Sequence, residues 1–182
     1  MRESGILMHI TSLPAPYGIG TMGKDAYAFV DFLVKAGQRC WQILPLTPTG
    51  YGDSPYQSLG ACAGNHYLID LDTLVDEGLL KKEEIQDISW GNNPKRVDFG
   101  AMYAHRMNVL RLAFQRFAPD EAYETFVEQN RSWLEDYALF TALKDTLGGK
   151  PWLDWPEALR LRKADALTEK RRELSDEIRL QY

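Results

Sequence analysis

Two apolar stretches flanking a helix-patterned segment constrain this 182-residue chain more than any other feature. The first stretch is Gly5-Ile-Leu-Met-His-Ile-Thr-Ser-Leu13 and the second is Cys40-Trp-Gln-Ile-Leu-Pro-Leu46. Between them, from Lys24 to about Ala36, the residues Ala26, Phe29, Val30, Leu33 and Ala36 recur at three- and four-residue steps. That spacing puts them on one helical face, and Gly37 stands where a helix would stop. Strand, helix and strand in this order predict a βαβ unit, whose right-handed crossover returns the chain to a parallel neighbour. Loops trailing parallel strands share one rim, so residues 14–23 and 47–58 are expected side by side. In barrels and open α/β sheets that rim is where ligands bind.

The second of these loops, Thr49-Gly-Tyr-Gly-Asp-Ser-Pro-Tyr-Gln-Ser58, holds two tyrosines, an acid, two serines and a glutamine. Flat aromatic faces meet the C–H faces of pyranose rings, and short hydroxyl and amide groups orient a polar ligand. The competing reading is a Gly/Pro-rich surface turn. The first loop contains Gly18-Ile-Gly-Thr-Met-Gly23, a match to the G-x-G-x-x-G dinucleotide fingerprint. Its context argues against a nucleotide-binding α/β domain. Pro14-Ala-Pro-Tyr17 separates the first glycine from the strand, and the second strand, ending Pro45-Leu-Thr47, offers no acid for a ribose hydroxyl. Glycines that permit tight turns at a rim are the better account.

Apolar residues make up 45% of the chain and charged ones 26%, and the net charge is −5. This balance gives no electrostatic reason to approach nucleic acid or an anionic membrane. No apolar run approaches the roughly 20 residues that cross a bilayer. The polar start Met1-Arg-Glu-Ser lacks a signal-peptide core, so a cytoplasmic setting is expected. Cys40 and Cys62 are the only cysteines; they predict neither a disulfide framework nor a metal site, and read as two small buried hydrophobes.

After residue 72 the patterns are almost wholly helical. Asp70 to Leu80 reads as a strand end and a short helix, and Lys81 to Asp87 as another helix start. From about Phe99 to Phe117, Met102, Tyr103, Met107, Leu110, Ala113 and Phe114 repeat with helical spacing. Pro119-Asp120 marks a break with a capping residue, ahead of helices expected over 121–129 and 132–147 and closed by Gly148-Gly149. Ala164 to Tyr182 forms a charged helical pattern with Leu167, Leu174 and Ile178 on one face. Asp98 reads as a helix cap, since no strand precedes it and no histidine follows. His9, His66 and His105 lack ligand spacing, and His9 is expected as a hydrogen-bonded strand residue. Trp133, Trp152 and Trp155 read as helix-packing aromatics.

Taken in order, Gly5 to Gly20, Gly37 to Leu46, Gly50 to Ser58 and Ala63-Gly-Asn-His-Tyr-Leu-Ile-Asp-Leu-Asp72 resemble the amino-terminal part of the 4-α-glucanotransferases, the amylomaltases or disproportionating enzymes. Pro151-Trp-Leu-Asp-Trp-Pro156 continues the resemblance, which covers essentially the whole chain. It implies an α/β fold, an incomplete (β/α)8 TIM barrel. Residues 1–72 would carry its first two parallel strands and residues 73–182 a mostly helical inserted subdomain. A whole barrel needs roughly 250 residues, so the chain is expected to be a fragment that ends mid-helix.

The resemblance implies retaining transfer of glucosyl chains within maltooligosaccharides and other α-1,4-glucans, with no cofactor. It also implies that Tyr56 stacks on the sugar at the cleavage point, that Ser54 hydrogen-bonds near it and that Asp53 orders the loop. Tyr51 would make a secondary glucan contact. The family's Arg-x-Asp-His, Glu-Asp-Leu-Gly and His-Asp patterns occur nowhere in this sequence, so no catalytic residue is assigned and the chain alone is expected to be inactive. A stand-alone glucan-binding module is the rival reading.

Overall fold

The computed structural model describes residues 3–50 and 52–182, and the chain divides into two compact units, Met1–Phe117 and Ala118–Tyr182. In the first, β1 (Gly5–Leu7) pairs in parallel with β2 (Cys40–Gln42), Ile6 standing opposite Trp41. Helix α1 (Lys24–Lys35) makes the crossover. Its predicted apolar face is only partly covered. Leu33 is buried, and Ala26 and Phe29 pack with Trp41, Ile43 and Leu46 on the small core of Ile10, Leu13 and Leu68. Val30 and Ala36 lie exposed.

Both strands are shorter than the apolar runs that announced them. Strand geometry persists only while a ladder partner continues, and beyond Met8, whose N–H donates to the Gln42 carbonyl, the chain turns into a 3-10 segment over Ile10–Ser12. His9 therefore falls after the strand rather than on it. Its Nδ1 is buried with no partner among the described residues, which corrects the expectation of a hydrogen-bonded strand histidine, and burial lowers its pKa. The cysteines also depart from expectation, since both are exposed. Cys40 lies on a strand of a two-stranded sheet that is largely uncovered, and Cys62 on an open loop.

Helix α2 (Leu71–Asp76) is capped by Asp70 and helix α3 (Phe99–Arg116) by Asp98, whose carboxylate accepts from the Ala101 N–H at 3.0 Å. Met102, Val109, Leu110 and Ala113 of α3 bury against Tyr17, Ile19, Tyr67 and Leu71 in one core. The first compact unit accordingly runs on to Phe117, because α3 needs the loops of the first 72 residues to cover its apolar stripe.

The second unit is helical. One helix, α4 (Glu121–Thr146), replaces the two expected over 121–129 and 132–147. Nothing between them breaks a helix: the Asn130 side chain donates back to the Phe126 carbonyl and Arg131 pairs with Glu135 one turn on. The helix closes at Gly148 and Gly149, both at positive φ. Helices α5 (Glu157–Arg160), α6 (Ala164–Glu173) and α7 (Ser175–Gln181) complete the unit. Leu167, Leu174 and Ile178 share a core with Ala138, Leu139, Leu143 and Trp155, as their spacing predicts. Among the described residues no helix is long and apolar enough to cross a membrane.

Candidate functional site

The turn after β2 is built around Asp53. Its φ of 59° lies in the left-handed region, and its N–H donates to the Gly50 carbonyl at 3.1 Å. That conformation costs a non-glycine residue on the order of 1 kcal/mol, least for Asp and Asn, whose short polar side chains bond locally. Here the Asp53 carboxylate accepts a short hydrogen bond from the Tyr103 hydroxyl, which also reaches the Gly50 carbonyl at 3.4 Å. Ser54 follows, and its Oγ accepts from the Tyr56 N–H at 3.3 Å while its carbonyl accepts from the Gln57 N–H at 3.1 Å. The Tyr56 ring is left 73% exposed. Three of the residues singled out from the sequence, Asp53, Ser54 and Tyr56, thus come together on one open turn. Tyr51 lies outside the described residues.

Tyr103 is the residue that sequence reading missed as a site component. Its place in the α3 repeat suggested core packing, yet it is 52% exposed and turned toward the loop. Below it, its ring meets Tyr67 edge-on at 6.0 Å. One turn further along α3, the fully buried Arg106 donates to the carbonyls of Tyr67 and Ile69. Burial lowers the Arg106 pKa to about 10 and pushes the Tyr67 phenol up to about 12. Burial, and then the Arg106 charge, hold His66 down to about 4, so this imidazole is neutral near pH 7.

The segment 65–72 also anchors the other loop. Asn65 N–H donates to the Leu46 carbonyl at 2.8 Å and Met22 N–H to the Leu68 carbonyl at 2.9 Å, so one short stretch holds both strand-trailing loops. The Thr21 hydroxyl donates to Asp70 at 2.6 Å. Tyr17 donates to Asp72 at 2.5 Å, and Lys82 and Lys24 close on the same carboxylate at 2.9 and 3.1 Å. The Tyr17 and Lys82 hydrogen bonds hold the Asp72 carboxyl at about 2. The glycines of the G-x-G-x-x-G stretch are consumed by packing. A Cβ on Gly18 would lie 2.4 Å from the Trp90 carbonyl oxygen, and one on Gly23 would lie 2.3 Å from the Asp70 carboxyl. Protein atoms fill the space that a pyrophosphate would need there, which removes the support for a nucleotide reading.

Chemically, the 50–58 turn offers an aromatic face, a hydroxyl and a carboxylate already engaged by Tyr103. Such a set can bind and orient a polar ring; it does not supply the opposed pair of carboxyls that glycoside chemistry uses. Among the described residues no group of three or more His, Cys, Asp or Glu side chains is placed to hold a metal ion.

A family model described as 4-alpha-glucanotransferase matches residues 8–182. A 4-alpha-glucanotransferase of Thermus thermophilus is 49% identical over 183 residues, covering 97% of this chain and 36% of that protein. One of Streptococcus pneumoniae serotype 4 is 47% identical over 181 residues, with the same shares covered. The solved amylomaltase from Streptococcus agalactiae in complex with acarbose matches 100% of this chain with 37% of its own, at 45% identity and a TM-score of 0.93. The chain spans about a third, 36%, of the length of these curated relatives. By the family match over nearly its whole length, the chain belongs to the 4-alpha-glucanotransferase family.

Proposed function

We propose that this chain forms the donor-side wall of a 4-α-glucanotransferase that passes glucosyl chains between maltooligosaccharides or other α-1,4-glucans. Residues 1–72 supply the first two strands of a (β/α)8 barrel with their substrate-facing loops, and residues 73–182 a mainly helical insertion whose helix α3 folds back on those loops. The observation that carries the reading is the Tyr56 ring, 73% exposed on a loop trailing the second of two parallel strands, with Ser54 beside it.

Retaining transfer needs a carboxylate nucleophile and a second carboxyl that acts first as acid and then as base, about 5–5.5 Å apart across the bond. The patterns that carry these groups in the family are absent from this sequence, so neither carboxyl is assigned to this chain. What this chain contributes is position: Tyr56 as a shelf for the sugar ring at the cleavage point, and Ser54 as a hydrogen-bonding hydroxyl beside it. Tyr51 is assigned the secondary glucan contact. Transfer outruns hydrolysis only where an acceptor sugar occupies the site before water does, which aromatic walls favour.

The test joins this chain to the rest of the S. agalactiae amylomaltase, beyond the part it matches. The chimaera is expected to disproportionate maltotriose, and Tyr56→Ala to lower kcat/KM by about tenfold, the value of one aromatic stacking contact. The 182 residues alone are expected to show no turnover. A folded but inactive chimaera, or full activity after Tyr56→Ala, would refute the assignment.

A further inference from the structure

We propose that Tyr103 is a positioning residue, whose hydroxyl sets the shape of the turn from Gly52 to Ser58 by holding Asp53 and Gly50 and so fixes how Ser54 and Tyr56 are presented. The inference rests on the glucan reading above for its functional consequence, but not for its geometry.

Three observations carry it. First, the described bonds within the turn are all short-range: Asp53 to Gly50, Tyr56 to Ser54, Gln57 to Ser54. Such bonds define a turn without tying it to the body of the protein. Second, the Tyr103 hydroxyl bonds the turn to α3 across a sequence separation of 50 residues, and it does so at the residue in the left-handed conformation. Removing that bond frees the Asp53 φ/ψ pair, which with the neighbouring Gly52 at a φ of 89° sets the direction of the following residues. Third, α3 is a rigid post. Met102, Arg106 and Val109 are fully or almost fully buried, and Arg106 pins the Tyr67 and Ile69 carbonyls beneath the site. The clamp therefore reaches from the core through an i, i+3 face of one helix to the substrate-facing turn.

A bland alternative is a surface hydrogen bond with no consequence. The two accounts differ in what Tyr103→Phe does. The ring and its edge contact with Tyr67 survive this substitution, so the fold is retained while the clamp is lost.

In the 182-residue chain, amide hydrogen exchange of Tyr103→Phe is expected to quicken about tenfold at Asp53 and Gln57, with Met102 and Val109 unchanged. Unchanged exchange at Asp53 and Gln57, or equal acceleration along α3, would overturn the proposal. In the chimaera, Tyr103→Phe and Asp53→Ala are each expected to lower kcat/KM for maltotriose, and the double variant to lose no more than the larger single loss. Additive losses would show that Tyr103 does not act through Asp53. A chimaera inactive with Tyr103 intact would sink the glucan reading instead, and the exchange rates would still decide the clamp.

Discussion

Gly20 sits so close to Ile10 that a Cβ on the glycine would lie 1.9 Å from the Ile10 carbonyl oxygen. The contact joins the first loop to the segment that follows β1, and the Gly20 N–H seals it by donating to the Thr11 carbonyl at 3.1 Å. Backbone cannot yield here as a flexible side chain would. Gly20→Ala is expected to cost about 3 kcal/mol, the upper end of the usual range for overpacking with backbone displacement. Gly37 provides the control: its φ is +70° but nothing lies within 4 Å of a Cβ, so Gly37→Ala should cost only about 1 kcal/mol. Urea unfolding of the two variants measures the difference, and equal midpoints would contradict it.

His66 makes stability depend on pH. Burial lowers its folded pKa from 6.5 to about 4, so between these values the unfolded chain binds the extra proton. The stabilising contribution is present above pH 6.5 and is lost as pH falls toward 4, a loss on the order of 2–3 kcal/mol. Chemical unfolding at pH 7 and pH 4.5 should show that slope in the wild type and a flatter one in His66→Asn. An unchanged slope would mean that the imidazole is not desolvated.

What could be read from the sequence followed the range of the interactions involved. The βαβ unit, the caps at Asp98 and Asp120 and the buried face of Leu167, Leu174 and Ile178 all rest on contacts within a turn or on a simple period. The exposure of Tyr56 followed from its Gly/Pro-rich loop. The folding of α3 onto the first 72 residues was not legible, because its partners Tyr17 and Ile19 lie in a loop whose glycines looked like a ligand motif. Tyr103 escaped notice for a related reason: its bond to Asp53 spans 50 residues, and helical periodicity alone assigned it to the core.

Asp72 should govern a second, more acidic transition. Its carboxylate collects Tyr17, Lys82 and Lys24, and these partners hold its pKa from 3.8 down to about 2. The stability it confers is full above pH 3.8 and is lost as pH falls through 2, below the His66 window. Asp72→Asn should therefore destabilise the chain at pH 7 and leave the His66 slope intact. It should also quicken proteolysis in the 14–23 loop, since Tyr17 loses its charged acceptor. Equal proteolysis of variant and wild type would separate Asp72 from the loop.

The two-stranded sheet itself predicts self-association. β1 and β2 pair only with each other among the described residues, so each presents an unsatisfied edge. The apolar side chains beside those edges are open as well, Leu7 at 62% and Ile6 at 39% exposure. An uncovered parallel pair with apolar flanks is a template for edge-to-edge pairing between copies, and a charge on the edge strand opposes it. Sedimentation velocity of the isolated chain should show a weight-average mass that rises with concentration. Leu7→Lys should lower that mass toward 20.8 kDa, whereas Leu161→Lys, on the helical unit and 58% exposed, should not. If both substitutions act alike, general surface hydrophobicity drives the association and the open edge does not.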